Sequence, residues 1–153
     1  MTRILLIYGG HVGGHTATLV QAVRAGMELA EEAFECRALP ALQAGAGDLL
    51  WAQGLLIGTP EHFGYMSGAL KDFMDRTFYA VEGKVEGLPY ALFVSAGNDG
   101  TGTVNSVERI ALGYKWKGVA EPIIVRGEPT AGDLQRCREL GQSFVAGLAL
   151  GVF

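Results

Sequence analysis

The first segment of the chain that could do chemistry is a glycine-rich stretch at residues 9–16, directly after an apolar run at residues 3–8. Glycines permit tight curvature, so successive backbone N–H groups and the positive end of a following helix can surround an anion. The hydroxyl of Thr16 can add one more donor. The segment therefore predicts a phosphate site. The alternative is an ordinary turn between strand and helix, with Thr16 as the helix N-cap.

The same segment partly matches the phosphate loop of nucleotide triphosphatases. Gly9 and Gly14 have the spacing of that loop, but His15 stands where it has its lysine. The third and fourth predicted strands run into Gly58-Thr59-Pro60 and Ser95-Ala96-Gly97, without an aspartate suited to Mg²⁺. A triphosphatase is therefore disfavoured. The absence of the pattern G-x-G-x-x-G from this segment also disfavours a Rossmann-type dinucleotide site.

Two later loops carry residues suited to a flat heterocycle. Residues 59–66 combine a rigid proline, aromatic and imidazole surfaces and a glycine that lets the backbone approach a ring. Residues 95–103 add glycines and amide donors, although Asn98 or Asp99 could equally be turn residues. One phosphate site and two such loops predict a mononucleotide with a flat, reactive head, and FMN is the obvious candidate.

Apolar periodicity indicates the elements that must position these loops. Short continuous apolar runs predict strands covered on both faces, and stripes at helical spacing predict helices between them. The predicted strands are residues 3–8, 34–39, 55–57, 88–95 and 121–126, and the predicted helices are residues 16–32, 68–79, 103–114 and 131–150, with a short helix or irregular crossover in residues 40–53. This alternation is typical of an α/β fold with a doubly wound parallel sheet of five strands. Ligands of such sheets bind at the carboxyl ends of the strands, where the three loops lie.

Length, charge and cysteine usage exclude several function classes. The 153 residues match a single domain, and a net charge of −4 without a basic run disfavours nucleic acid as a partner. The apolar runs are too short for a bilayer and the N-terminus lacks the apolar region of a signal peptide, so we expect no membrane partner and a cytoplasmic location. Cys36 and Cys137 lack metal-site spacing, which predicts reduced thiols and no metal site.

Glycine is enriched in the chain. Its 23 glycines are about twice the usual share, without any repeat that explains them. We expect them to mark loops where the backbone closely approaches a neighbour.

Residues 58–77 carry a specific family resemblance. The segment Gly58-Thr59-Pro60-Glu61-His62-Phe63-Gly64-Tyr65-Met66 matches the pattern G-[ST]-P-x-x-F-G-x-M of flavodoxin-like NAD(P)H:quinone oxidoreductases of the tryptophan-repressor-binding-protein type, within the NADPH-dependent FMN reductase superfamily. The first helix resembles the family's G-H-x-x-T-x-x-x-A-V-x-x-G pattern, and the last helix resembles its closing helix. The matching positions are Gly14, His15, Thr18, Ala22, Val23, Gly26, Leu134, Arg138, Gly141 and residues 144–149.

The resemblance implies a flavodoxin-like sheet with strand order 2-1-3-4-5 and a bound FMN. Residues 11–16 would bind its phosphate, residues 60–64 its ring, and residues 95–102 the ring edge and ribityl side. The complete set of expected cofactor-binding residues is His11, Val12, Gly13, Gly14, His15, Thr16, Thr59, Pro60, Glu61, His62, Phe63, Gly64, Ser95, Ala96, Gly97, Asn98, Gly100 and Gly102. The family usually has Ser or Thr at the position of His11, so we expect phosphate affinity to fall or to depend on pH.

The resemblance also implies a function. FMN would accept a hydride from NADH or NADPH and pass two electrons to a quinone or similar acceptor, so the cofactor does the chemistry and no catalytic acid or base is nominated. A homodimer or tetramer is expected of this type. However, residues 40–53 and 127–132 are shorter than in the quinone reductases, where the second connection helps to build the neighbouring subunit's active site.

Two further hypotheses remain open at this stage. The chain could be a non-catalytic flavodoxin that carries electrons between redox proteins. A net charge of −4 and the lack of aromatic residues in residues 95–103 make that hypothesis weaker, since such carriers are strongly acidic and flank the ring with aromatics from two loops. Alternatively, flavin binding has been lost and the fold serves as a binding or regulatory module. A colourless protein that FMN does not stabilise would support the latter.

Overall fold

A parallel β-sheet forms the centre of the protein in a computed structural model that describes residues 1–153. The strands are β1 (Thr2–Tyr8), β2 (Phe34–Pro40), β3 (Gly54–Pro60), β4 (Pro89–Ala96), β5 (Lys117–Gly118) and β6 (Ile123–Arg126). Their order across the sheet is β2-β1-β3-β4-β5, and β6 also pairs with β4. All pairings are parallel. The structure thus confirms the predicted doubly wound sheet and its strand order.

The fifth position of the sheet is occupied by two short strands where the sequence predicted one at residues 121–126. β5 pairs with Pro89 and Tyr90 at the start of β4, and β6 pairs with the second half of β4. Between them lies Pro122, which has no N–H to donate to a strand ladder. The two segments therefore act as one interrupted edge strand.

Five α-helices cover the two faces of the sheet. They are α1 (His15–Glu28), α2 (Ala46–Trp51), α3 (Gly68–Val81), α4 (Thr101–Tyr114) and α5 (Ala131–Leu150), and a 3₁₀ turn spans Ala41–Gln43. α1 ends four residues earlier than predicted, because the N–H groups of Leu29 and Ala30 bond to the carbonyls of Gly26 and Met27, three residues before each, and close the helix there. β3 is longer than predicted, so Thr59 and Pro60 are its last residues and not part of the following loop.

Alternate residues of the central strands supply two hydrophobic clusters. Leu5 and Ile7 point toward the layer of α2, α3 and α4, whereas Ile4 and Leu6 point toward α1 and α5. All four side chains are completely buried. This double burial is the reason why β1 reads as a continuous apolar run and not as an alternating one.

Two glycines occur where helices touch and not in loops. A Cβ atom at Gly26 of α1 would overlap the backbone of Arg138, and one at Gly141 of α5 would overlap the carbonyl of Val23. The expectation that the glycines mark loops is therefore wrong for this pair, which instead allows α1 and α5 to pack backbone to backbone.

Cys36 and Cys137 are both free thiols. Burial raises the pKa of each thiol to about 11. Neither is therefore a reactive thiolate near neutral pH. No helix has both the length and the apolar composition needed to cross a bilayer.

Candidate cofactor site

The three loops singled out in the sequence meet at the carboxyl edge of the sheet. β1, β3 and β4 are adjacent strands, so the segments that follow them converge although they lie far apart in the chain. A cavity of about 160 Å³ lies between them. It is lined by Gly10, His11, Gly14, His15, Thr16, Pro60, His62 and Ser95, with at least one residue from each loop.

The amino end of α1 offers unpaired donors to this cavity. Its N-cap is Gly14, which has no side chain to accept from the first turn. The amides of His15, Thr16 and Ala17 make no backbone hydrogen bond, nor do those of residues 10–13 in the preceding loop. By contrast, Ser67 caps α3 and Thr130 caps α5 through their side chains. Free donors at the positive end of a helix dipole suit an anion such as phosphate.

The backbone before α1 curves through two glycines. Gly10 and Gly13 have φ angles of 88° and 80°, a conformation that other residues rarely adopt. Thr16 is only 3% exposed and lines the cavity as the second residue of the helix. The alternative prediction that Thr16 is the N-cap is therefore wrong, and its hydroxyl is not used to cap the helix.

All three histidines of the chain line the same cavity, namely His11, His15 and His62. The imidazole of His11 folds over the loop, since a Cβ at Gly14 would lie 3.0 Å from its ring atoms. Each imidazole can donate a hydrogen bond to an anion. The sequence analysis placed these histidines in two separate loops, and the fold brings them to one cavity.

The loop after β3 ends in a tight hairpin with a strained aromatic residue. His62 and Tyr65 exchange two backbone hydrogen bonds of 2.9 and 3.1 Å. Between them Phe63 and Gly64 have φ angles of 55° and 71°. Asn-Gly is the usual choice for such a turn, so a phenylalanine there is unfavourable. Its ring is nevertheless fully exposed. Strained backbone of this kind clusters at functional sites, and Phe63 directly follows His62, which lines the cavity.

Thr59, another predicted site residue, lies at the end of β3 and holds the loop that follows. Its side chain is completely buried, and its hydroxyl accepts from the amide of Ser67 at 3.0 Å and donates to the carbonyl of Pro60 at 2.9 Å. Thr59 therefore shapes the loop and does not line the cavity.

The loop after β4 is held from two sides. Glu61 accepts from the amides of Asn98 and Gly100, at 2.9 and 2.8 Å. Arg126 donates to the carbonyl of Asp99 at 3.0 Å. The Thr101 hydroxyl, with help from Arg126, lowers the pKa of the Asp99 carboxyl. Of the predicted residues here, Ser95 lines the cavity, and the amide of Gly97 makes no backbone hydrogen bond.

Gly102 and Gly64 bring the two ring loops together. A Cβ atom at Gly102, in the first turn of α4, would collide with the carbonyl oxygen of Gly64. The hydroxyl of Thr103 donates to the carbonyl of Tyr65 at 3.0 Å. The predicted residues of the second and third loops thus form one connected wall beside the phosphate loop.

A second, larger cavity of about 450 Å³ lies on the other side of the phosphate loop, toward β2. Sequence reasoning missed it. Gly10 and His11 line both cavities, and Arg24 is the one permanently charged residue in the larger cavity. It contains none of the residues from the second and third loops. Its walls are one face of α1 and the ends of β1 and β2, and nothing in the sequence pattern indicates a groove there.

Comparison with known proteins identifies relatives of the whole chain. The family model described as NADPH-dependent FMN reductase matches residues 2–121. A flavodoxin of Aquifex aeolicus is 28% identical over 99% of this chain and 90% of that protein. An NAD(P)H dehydrogenase (quinone) of Paracoccus denitrificans is 27% identical over 95% of this chain and 80% of that protein.

The fold also matches solved structures. A flavodoxin from the domain Archaea superposes with a TM-score of 0.80 at 20% sequence identity, covering 96% of this chain and 99% of the other. At this level of identity the likeness establishes the fold, which is flavodoxin-like as expected.

Proposed function

The chain belongs to the NADPH-dependent FMN reductase family, and on this basis we propose that it binds FMN and transfers electrons from NADH or NADPH to a quinone or similar small acceptor. Residues 1–153 would act as one flavin-binding domain. The quinone assignment draws its support from the resemblance of residues 58–77 and from the Paracoccus relative, which is named an NAD(P)H dehydrogenase (quinone).

The observation that carries the proposal is the convergence of three loops on a cavity whose donors are unpaired. The backbone amides at the start of α1, together with the Thr16 hydroxyl, fit a terminal phosphate. Residues 60–64 and 95–102 form a continuous wall of aromatic, imidazole and backbone groups beside it. These residues fit the two ends of FMN, the phosphate and the flat ring.

Bound FMN supplies a ring that takes up a hydride and releases electrons to an acceptor. The work of the chain is then to bind and to orient. The amides of His15 and Thr16 would hold the phosphate, and Pro60 and the hairpin at residues 62–65 would contact the ring. No side chain is assigned as an acid or base. The exposed ring of Phe63 offers a flat apolar surface to an incoming donor or acceptor.

Absorbance and turnover test this proposal together. We expect the purified protein to bind added FMN, to be bleached by NADPH or NADH, and to turn over when benzoquinone is present. The same protein without FMN is the control and should show no oxidation of NAD(P)H. Failure to bind FMN would overturn the proposal.

The second candidate function is electron transfer between proteins, favoured by the Aquifex relative that is a flavodoxin over nearly its whole length. In that case the protein with FMN bound would be reduced by a partner reductase but not directly by NAD(P)H. The family match and the lack of aromatic residues in residues 95–103 support the reductase over the carrier.

A further inference from the structure

Glu61 links the two loops that form the ring-binding wall. Its two carboxylate oxygens accept separately from the amides of Asn98 and Gly100, at 2.9 and 2.8 Å. Its own amide donates to the carbonyl of Ser95 at 2.8 Å. Three hydrogen bonds from one residue thus join the segment after β3 to the end of β4 and to the loop that follows it.

The carboxylate also completes α4. The N-cap of that helix is Gly100, which has a φ of 79° and no side chain to cap the first turn. Glu61 therefore places an anion at the positive end of α4 from a different loop, where a carboxylate is stabilised by the helix dipole. Hydrogen bonds to a charged acceptor are among the stronger ones, so the link is firm although Glu61 is half-buried.

We propose that Glu61 is a positioning residue that fixes the spacing of the two ring loops and holds a negative charge between them. The proposal rests on the proposed function, in which these loops flank the flavin ring. Two effects follow from it. The ring-binding surface is preformed in the free protein, and the reduced flavin, which has gained electrons, binds less well than it would beside a neutral residue.

The other charged groups around this loop do not replace Glu61. Arg126 holds the opposite side of the loop through the carbonyl of Asp99, and its guanidinium lies 3.5 Å from the Asp99 carboxylate. His62 is the neighbouring titratable side chain and lines the cavity. Glu61 is the one carboxylate bonded to backbone amides of both the loop and the helix cap.

Two variants and one control separate the charge of Glu61 from its hydrogen bonds. Glu61→Gln keeps the shape and one acceptor oxygen but removes the charge, whereas Glu61→Ala removes the link altogether. Glu31→Gln makes the same change in net charge at an exposed position after α1. The side chain of Glu31 forms no ion pair or hydrogen bond in the structure.

The first measurement uses the protein without FMN. Hydrogen exchange followed by NMR should show the amides of Asn98 and Gly100 exchanging about tenfold faster or more in Glu61→Ala, because a charged acceptor is lost. They should exchange at the parent rate in Glu31→Gln. Unchanged protection of both amides in Glu61→Ala would overturn the proposal, whether or not the protein binds flavin.

The second measurement compares affinities for oxidised FMN and for FMN reduced with dithionite. In Glu61→Gln the ratio should shift about tenfold toward the reduced form, which is about 30 mV in a two-electron potential. Glu61→Ala should also lower the affinity for oxidised FMN. Glu31→Gln should change neither this affinity nor the ratio of the two affinities. If Glu61→Gln leaves the ratio at the parent value, the proposed role of the charge is wrong. If the parent protein binds no FMN, the proposed function fails, and the exchange experiment still decides whether the link exists.

Discussion

At the scale of single residues, Thr16 is the side chain placed best to recognise a phosphate. It is nearly buried, lines the cavity and is not used as a helix cap. We expect Thr16→Val to weaken FMN by more than about tenfold, or about 1.4 kcal/mol, because the change removes only the hydroxyl donor. Fluorescence titration of FMN measures the effect.

Thr18→Val is the matched control for this substitution. Thr18 is exposed on the next turn of α1 and its hydroxyl bonds back to the carbonyl of Gly14. The Thr18→Val substitution should leave the affinity for FMN unchanged. Equal affinities for the Thr16→Val variant and the parent would remove Thr16 from the phosphate site.

His11 is a second side chain placed to contact a phosphate. Its ring lies against Gly14 and lines the cavity, and an imidazole N–H can donate a hydrogen bond to an anion. We expect His11→Ala to weaken the binding of FMN at pH 7 by up to about tenfold, or about 1.4 kcal/mol. An unchanged dissociation constant would contradict this role.

The residue types predicted where the site lies, but they did not predict the role of every residue in it. The types of His11, Thr16 and Pro60 pointed to phosphate and ring, and all three line the cavity. The roles of Glu61 and Thr59 could not be predicted, because they depend on hydrogen bonds between segments that meet only in the folded chain.

At the scale of elements, the N-caps of the four longest helices divide into two groups. α1 and α4 begin at glycines without side-chain caps, whereas α3 and α5 begin at Ser67 and Thr130. The bare ends are those that follow β1 and β4, beside the cavity. The capped ends contribute to stability, and the bare ends leave room for an external anion or for Glu61.

The cap of α5 predicts a pH-dependent contribution to stability. The backbone amide of Thr130 and the guanidinium of Arg136 lower the pKa of Asp133. Because that pKa is lower in the folded than in the unfolded state, the stabilisation is present above the ordinary value of 3.8 and is lost as the pH falls below it. Asp133→Asn should therefore lower Tm at pH 7, with the difference from the parent shrinking as the pH falls below 3.8. A constant difference across this range would contradict the assignment.

The contact between α1 and α5 predicts opposite effects for two similar substitutions. Gly26→Ala would force a Cβ into the backbone of Arg138 and should lower the free energy of unfolding by about 1–3 kcal/mol. Gly113→Ala, on an open part of α4, should raise it by up to about 1 kcal/mol, since alanine favours helix. Urea unfolding measures both. A destabilisation of the same size at the two positions would show that the backbone contact is not the cause.

The sequence predicted helices and strands well where their side chains are continuously buried, and it predicted their ends less well. The apolar runs of β1 and β4 identified buried strands because both faces of the sheet are covered. The split of the outer strand into β5 and β6 and the early end of α1 depend on local hydrogen bonding. Periodicity carries little information about such details.

At the scale of the whole molecule, strand order is what makes the site. Because β1, β3 and β4 are neighbours, loops separated by about 30 residues or more meet at one edge of the sheet, as expected of doubly wound folds. A rule about topology could therefore predict where the cavity lies. The larger cavity is lined by α1 and the ends of β1 and β2, and no such rule predicts it.

In the proposed function, the unpaired amides at the start of α1 bind the phosphate of FMN. Riboflavin, which has the same ring but no phosphate, isolates that contribution. Titration of the purified protein with both flavins should give an affinity for FMN about a hundredfold higher, or about 2.8 kcal/mol. Equal affinities for FMN and riboflavin would contradict the claim, because the ring would then bind without help from the phosphate site.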